Sequence, residues 1–245
     1  MDKVIILAAG KGTRMKSELP KVLAPLNGRP IIDYLIEAVI ASGICTKPLL
    51  VVSPDNQSII ANALSKYDLD YALQTEQLGT GHAVNSARPL LASQDYENIV
   101  ILYGDHPFIR PATLQKIIKN HRGALTMMTT TVEDFSGWRQ NFYHWGRIIR
   151  SQGKISGIVE YKDANDDQKN ITEVNPALFC CNSRWLWQKI EKIKNNNSQK
   201  EYYLTSLVAL AAEEGETIGD LAIDQREAVG INSPEELLVA ASLIS

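Results

Sequence analysis

A glycine-rich, cationic segment follows the first apolar run of the chain. After the apolar residues 4–7 the sequence reads AAGKGTR, with Lys11 between two glycines, Arg14 next to them and Lys21 shortly after. Small residues let a ligand come close to the backbone, and backbone N–H groups with nearby cations hold phosphates. Such a loop is also typical of a tight turn after a buried strand, but its cations favour a polyphosphate site.

Two other phosphate-binding loops do not fit this segment. A Walker loop needs a glycine five positions before its Gly-Lys pair, and Ile5 stands there. A dinucleotide fingerprint needs a third glycine where the chain has Met15. Ordinary P-loop ATP hydrolysis and dinucleotide-dependent hydride transfer are therefore disfavoured.

Three polar side chains elsewhere could do chemistry. Asp105 follows the apolar run of residues 99–103, and carboxylate oxygen is the ligand that Mg²⁺ prefers, although an aspartate before Pro107 could also cap a turn. Gln74 could offer an amide donor and acceptor to a base, or be an ordinary polar residue at a strand end. Glu160 could accept hydrogen bonds from sugar hydroxyls, or form an ion pair with Lys162.

Composition excludes several classes of protein. The chain has 245 residues, 44% of them hydrophobic, and a net charge of −3, whereas binding to a nucleic-acid backbone normally needs a dense basic surface. Three cysteines, two of them adjacent in an apolar stretch, predict reduced thiols and no disulfide framework. Residues 4–9 are too short for a signal peptide, and no apolar run is long enough for a membrane span. We expect a soluble, cytoplasmic protein that binds neither nucleic acid nor membrane.

Short apolar strands alternate with helical periodicity in the first half, which predicts parallel strands joined by helices. The predicted strands are residues 4–8, 49–52, 71–74 and 99–103, and the predicted helices are residues 30–42, 57–66, 80–91 and 111–122. The second half is richer in strands, predicted at residues 124–132, 146–150, 155–160 and 172–181, with a helix at 184–194. The fold class is α/β, and the loop at Gly10 and the segment at Asp105 should face one crevice at the carboxyl ends of the strands.

Nine motifs follow one another through nearly the whole chain. They are LAAGKGTRM, LPKVLAPLNGRPII, QTEQLGTGHAV, YGDHP, GRI, GIVEYKDA, EVNPALF, EYYLTSLV and GINSPEEL. In these motifs the chain resembles the sugar-nucleotide pyrophosphorylases, in particular the uridylyltransferase domains of bacterial bifunctional N-acetylglucosamine-1-phosphate uridyltransferase/glucosamine-1-phosphate acetyltransferases. The resemblance implies a Rossmann-like nucleotidyltransferase fold, a mixed, mostly parallel sheet flanked by helices with a smaller acceptor lobe. We predict a single domain over residues 1–245, with a nucleotide-binding half (1–123) and an acceptor half (124–245).

The same resemblance implies roles for individual residues. Catalysis would involve Lys21, Arg14 and Asp105, and Mg²⁺ would be held by Asp105 and Asn232. UTP would be bound by Leu7, Ala8, Ala9, Gly10, Lys11, Gly12, Thr13, Gln74, Gly79 and Thr80. The sugar 1-phosphate would be bound by Tyr103, Gly104, Gly146, Glu160 and Asn175. The implied reaction joins UTP and N-acetylglucosamine 1-phosphate into UDP-N-acetylglucosamine and pyrophosphate.

The chain also departs from this family. Residues 138–145, WRQNFYHW, replace a short Gly-Tyr-Gly-Arg turn, and their aromatic rings could stack on a sugar or only pack a loop. Pro176 and Ala177 follow Asn175 where Thr-Gly is usual, and His106 stands beside Asp105. The hexapeptide repeats of the acetyltransferase β-helix are missing, so we expect no acetyl transfer by that route. Two alternatives stay open: the same reaction class with another sugar or nucleotide, and a non-catalytic nucleotide-binding protein. The residues leave the oligomeric state open.

Overall fold

The computed structural model describes residues 1–244, which form a large sheet covered by helices. The strands are β1 (Asp2–Leu7), β2 (Pro25–Leu26), β3 (Arg29–Pro30), β4 (Leu49–Val52), β5 (Asp70–Leu73), β6 (Asn98–Tyr103), β7 (Leu125–Thr131), β8 (Arg147–Ser151), β9 (Lys154–Val159), β10 (Glu173–Val174), β11 (Phe179–Asn182) and β12 (Ile218–Ala222). The α-helices are α1 (Ile31–Ser42), α2 (Gln57–Ala63), α3 (Thr80–Ser86), α4 (Arg88–Leu91), α5 (Pro111–Asn120), α6 (Asp166–Lys169), α7 (Ser183–Lys189), α8 (Ser206–Glu213), α9 (Gln225–Ala228) and α10 (Pro234–Leu243).

Ten strands form one sheet in the order β5-β4-β1-β6-β11-β7-β10-β8-β9, with β12 pairing with β7. Strands β9, β10 and β11 run against the others. The predicted α/β class with a mixed, mostly parallel sheet is confirmed. The division of the domain at residue 123 stays a prediction, and residue 245 lies outside the described part.

The apolar strands are buried on both faces of the sheet. In β1 the side chain of Ile5 packs into one core, whereas its neighbours Val4 and Ile6 pack into the core on the opposite face. This is the reason why β1, β4 and β6 are continuously apolar instead of alternating. Strand β1 lies between β4 and β6, and both pairings are parallel.

The strand order reverses at β1. The chain proceeds from β1 outward to β4 and β5, and then returns to place β6 on the other side of β1. At such a point the connections leave in opposite directions and open a crevice beyond the carboxyl ends of the strands. The glycine-rich segment after β1 and Asp105 after β6 both lie at this crevice.

Three element predictions were wrong. The helix expected over 80–91 is broken into α3 and α4 because Pro89, which has no N–H donor, can be accommodated only at the start of a new helix. The helix expected over 184–194 ends as α-helix at Lys189 and continues as a 3₁₀ turn. The strand expected over 172–181 is two strands, β10 and β11. The prediction also missed β12, whose glycine and aspartate are poor strand formers, and the apolar helix α8.

The three cysteines are free and buried, as predicted. Burial raises the pKa of the Cys180 and Cys181 thiols far above the usual value, so they are unreactive. Among residues 1–244, no helix combines the length and the apolar character needed to cross a bilayer.

Candidate active site

A cavity of about 610 Å³ opens at the carboxyl ends of β1, β5 and β6. It is lined by Leu7, Ala8, Ala9, Gly10, Lys11, Thr13, Lys21, Val22, Gln74, Gln77, Gly79, Thr80, Ala83, Tyr103, Asp105, Glu201 and Asn232. Most residues predicted to bind nucleotide and metal therefore share one cavity. The volume is in the range of sites for small ligands.

The loop after β1 offers free backbone N–H groups to a ligand. Its carbonyl oxygens are bound from behind: that of Leu7 accepts from the Gly104 N–H (3.0 Å), that of Ala8 from the Asn56 amide (3.0 Å), and that of Ala9 from the Gln77 amide (2.8 Å). Within the described residues, the N–H groups of residues 9–11 have no hydrogen-bond partner. Free backbone N–H groups favour anion binding.

Gly12 and Lys21 are in close contact. Gly12 has a left-handed backbone (φ +60°), and a Cβ atom added to it would lie 2.8 Å from the Cβ of Lys21. Only glycine satisfies both conditions without strain, so the loop holds the lysine backbone tightly against itself. The contact aims the Lys21 side chain into the cavity.

The ammonium group of Lys21 lies between two oxygen ligands. It donates to Asp105 Oδ2 in a short ion pair and to Asn232 Oδ1 at 2.9 Å. Burial by itself would raise the pKa of Asp105, but the charge of Lys21 and the contact with His106 together hold it far below the usual value. Asp105 is therefore a carboxylate at any ordinary pH.

Two backbone contacts hold Asn232 next to Asp105. The Ile231 N–H donates to the Asp105 carbonyl (3.0 Å), and the Asn232 N–H donates to Glu236 Oε2 (2.5 Å) in α10. His106 Nδ1 lies 2.9 Å from Asp105 Oδ1, and the ring of His106 packs beside Trp145 with centroids 5.6 Å apart. Asp105 thus has one oxygen bound by histidine and one facing the cavity.

The donors present suit a hard cation. Asp105 Oδ2 and Asn232 Oδ1 are a carboxylate and an amide oxygen, and they already share one cation, the Lys21 ammonium. Mg²⁺ is commonly bound by one or two protein oxygens, with water and phosphate oxygens as further ligands. Residues 1–244 contain no group of three or more His, Cys, Asp or Glu side chains that could hold a metal by themselves. Mg²⁺ therefore fits here with water and phosphate oxygens as its remaining ligands.

The other end of the cavity contains Gln74, which is 4% exposed. Its amide nitrogen donates to the Gly79 carbonyl (3.0 Å) and lies 3.2 Å from His82 Nδ1. Gly79 has φ +108°, and an added Cβ would lie 2.8 Å from the Tyr202 carbonyl oxygen. A side chain at residue 79 would therefore displace the segment around Tyr202.

Gly146, Glu160 and Asn175 form a second cluster that does not line the main cavity. The Asn175 N–H donates to the Gly146 carbonyl (2.9 Å), and a Cβ on Gly146 would lie 3.3 Å from Glu160 Oε2. Glu160 Oε1 accepts from the Thr205 hydroxyl (2.8 Å), and burial raises the pKa of Glu160. Tyr103 lines the main cavity. Burial raises the pKa of its phenol, and the carboxylates of Glu160 and Asp105 raise it further.

The aromatic segment of residues 138–145 packs on itself and on the neighbouring rings of His106, Phe135 and Tyr161. Phe142 is fully buried, with ring centroids 4.8 Å from Trp145 and 5.8 Å from Trp138. The guanidinium of Arg147, which is also fully buried, donates to the carbonyl of Tyr143 (2.7 Å) and to that of Trp145. The rings of Trp138, Phe142 and Trp145 therefore pack this loop, whereas Tyr143 and His144 are exposed.

The predicted site residues thus fall into three groups: those that line the cavity, the cluster of Gly146, Glu160 and Asn175, and the residues Gly12, Arg14 and Gly104, which belong to neither. The residues predicted to bind nucleotide and metal line the cavity, apart from Gly12, which packs against Lys21. Arg14 is exposed beside the cavity and has no ion-pair partner within residues 1–244, and Gly104 packs against Val22. Sequence reasoning missed Asn56, Gln77 and His82, which orient the loop and Gln74. Only Gln77 and His82 lay in a motif that could have indicated them.

A glycine-rich loop, a buried carboxylate and a cation at the reversal point of an α/β sheet are features of nucleotide-binding enzymes. The profile of the MobA-like NTP transferase domain family matches residues 4–211, and the chain belongs to this family of nucleotidyltransferases.

Similar proteins include two named "Bifunctional protein GlmU". The chain is 39% identical over 236 residues to that of Acinetobacter baylyi and 40% identical over 245 residues to that of Pelobacter propionicus. These matches cover 96% and 98% of the chain but only 50% and 51% of the relatives, so the chain spans about half their length. A crystal structure from Bacillus anthracis, provisionally described as a glucose-1-phosphate thymidylyltransferase in complex with sucrose, has the same fold. The TM-score is 0.77 at 16% identity, with 99% of this chain and 95% of that chain covered.

Proposed function

We propose that this chain is a Mg²⁺-dependent uridylyltransferase that forms UDP-N-acetylglucosamine and pyrophosphate from UTP and N-acetylglucosamine 1-phosphate. The observation that carries the proposal is the meeting of Lys21, Asp105 and Asn232 in one cavity, beneath a loop with free N–H groups. The identity of about 40% with proteins named GlmU and the motif resemblance to uridylyltransferase domains support the choice of substrates.

In this reaction a phosphate oxygen of the sugar 1-phosphate attacks the α-phosphorus of UTP. A new P–O bond forms, the bond to the bridging oxygen of the β-phosphate breaks, and pyrophosphate leaves with the electron pair. The protein has little covalent chemistry to do, so it acts by alignment and by stabilising charge. Mg²⁺, held by Asp105 and Asn232, would neutralise charge on the phosphate oxygens.

The residues of this chain would divide the remaining tasks. Free N–H groups of residues 9–11 would hold the triphosphate, while exposed Lys11 and Arg14 would offset its charge. The ammonium group of Lys21 would stabilise the negative charge that develops on the leaving pyrophosphate. Glu160 would accept hydrogen bonds from the sugar hydroxyls, and Tyr103, which lines the cavity, would lie where the two substrates meet.

The cluster of Gly146, Glu160 and Asn175, here called the acceptor cluster, also favours a second candidate, the same reaction with another sugar 1-phosphate. Asn175 Oδ1 accepts from the Ala177 N–H (2.9 Å), and Ala177 has a left-handed backbone (φ +60°). The amide oxygen of Asn175 is thus occupied within its own turn. This arrangement leaves fewer polar groups for a sugar than the resemblance implies.

The test is pyrophosphate release across a matrix of nucleoside triphosphates and sugar 1-phosphates with Mg²⁺. We expect the highest rate with UTP and N-acetylglucosamine 1-phosphate. Asp105→Ala should abolish turnover, whereas Asp55→Ala, which removes an exposed carboxylate that has no partner in the described residues, should not. Another preferred sugar or base would select the second candidate. Nucleotide binding without turnover for every pair would make the chain a non-catalytic nucleotide-binding protein.

A further inference from the structure

The side-chain amide of Gln74 can face only one way. The Gly79 carbonyl oxygen, 3.0 Å from one atom of that amide, can only accept a hydrogen bond, so the facing atom is the NH₂ group. The same NH₂ group lies 3.2 Å from His82 Nδ1. His82 must therefore accept at Nδ1, which requires a neutral ring with its proton on Nε2.

Both acceptors are held on well-fixed backbone. Gly79 is pressed against residues 201 and 202, where the Tyr202 N–H donates to the Leu78 carbonyl (2.7 Å) and the Gly81 N–H donates to the Tyr202 carbonyl (2.7 Å). His82 lies in the first turn of α3. The amide group of Gln74 therefore meets two acceptors whose positions do not depend on a bound ligand.

The amide oxygen is the group left over. Gln74 Oε1 has no hydrogen-bond partner within residues 1–244, and Gln74 lines the nucleotide cavity. An acceptor presented to a pyrimidine edge attracts the N3–H of uracil or thymine. It repels cytosine, whose N3 carries a lone pair, because two acceptors then face each other in a buried place.

We propose that His82 is a positioning residue that fixes the amide of Gln74, so that the site selects a pyrimidine nucleotide whose ring N3 carries a proton. This inference rests on the proposed function in one respect, that Gln74 faces the base. His82 acts through Gln74 and need not touch the nucleotide.

The test is equilibrium binding of UTP and of CTP to the full chain with Mg²⁺, measured by calorimetry without any sugar phosphate. His82→Leu removes the acceptor, and we expect about five- to tenfold weaker UTP binding with a smaller UTP/CTP ratio, as for the loss of one hydrogen bond. His82→Asn should restore both, because its Oδ1 can take the place of Nδ1. Ser86→Ala, which removes a hydroxyl that donates to the His82 carbonyl, is the matched control in α3 and should leave the ratio unchanged.

Two results would overturn the inference while leaving the proposed function intact. One is a ratio of UTP affinity to CTP affinity in His82→Leu that equals the ratio in wild type. The other is an equal loss of both nucleotides in His82→Leu and His82→Asn, which would mean that residue 82 only supports the helix. If the wild type binds neither nucleotide, both the proposed function and the inference fail.

Discussion

Replacing Lys21 with methionine should make the protein bind divalent cations more tightly when no nucleotide is present. The Lys21 ammonium uses Asp105 Oδ2 and Asn232 Oδ1, the same two oxygens that a divalent ion would need. A metal ion must therefore displace the lysine, and triphosphate oxygens can stabilise the displaced ammonium. In the wild type, metal and nucleotide should consequently favour each other's binding.

The size of the effect follows from the burial of the pair. Side-chain exposure is 18% for Lys21 and 9% for Asp105. At an effective dielectric constant of about 20, two unit charges about 4 Å apart attract each other by about 4 kcal/mol. Rehydration of the displaced lysine offsets part of this, and a remainder of about 1.4 to 2.8 kcal/mol corresponds to ten- to a hundredfold tighter binding.

The assay is titration with Mn²⁺ followed by electron paramagnetic resonance of the free ion. Lys21→Met should bind Mn²⁺ ten to a hundred times more tightly than wild type without nucleotide, and should gain less from an added non-hydrolysable UTP analogue. Lys11→Met removes a cation at the cavity that does not contact Asp105, so it measures the long-range effect of charge alone. Equal affinities in wild type and Lys21→Met, or the same gain in Lys11→Met, would refute the reasoning.

Three further predictions concern the acceptor cluster. Burial raises the pKa of Glu160, so its charged form destabilises the fold. Glu160→Gln should match wild type in unfolding free energy near pH 4 and become the more stable protein as pH rises above the usual glutamate pKa of about 4.3, while the KM for sugar phosphate increases. A difference in unfolding free energy between Glu160→Gln and wild type that does not change with pH, measured by urea titration, would contradict this. Ala177→Gly should stabilise the protein by about 0.5 to 1 kcal/mol. The left-handed backbone of Ala177 costs a residue with a Cβ atom about 1–2 kcal/mol, and the greater conformational entropy that glycine loses on folding offsets part of this gain. An unchanged urea midpoint would show that the turn carries no strain. Thr205→Val removes the donor to Glu160 and should raise the KM for sugar phosphate about three- to tenfold with kcat and the KM for UTP unchanged. A matching rise in the KM for UTP would indicate general damage to the pocket.

Features that depend on short stretches of chain could be predicted from the sequence. The glycine-rich loop, the continuously apolar strands before it and before Asp105, and the placing of both at the carboxyl ends of parallel strands follow from local composition and from the handedness of strand–helix–strand units. The nine motifs in their order indicated the family. These features can be recognised in the sequence because backbone geometry and burial on both faces of a sheet restrict the types of consecutive residues.

Contacts between residues far apart in the chain are seen only in the folded structure. Lys21 and Asn232 are 211 positions apart, yet their side chains share a hydrogen bond. The amides of Asn56 and Gln77 donate to the carbonyls of Ala8 and Ala9 from other elements, whereas the N–H groups of residues 9–11 have no partner among residues 1–244. Such contacts carry no local periodicity, because hydrogen bonds between loops depend on where the sheet brings those loops. For the same reason the pattern of residues 138–145 could not show whether their rings face a sugar or one another.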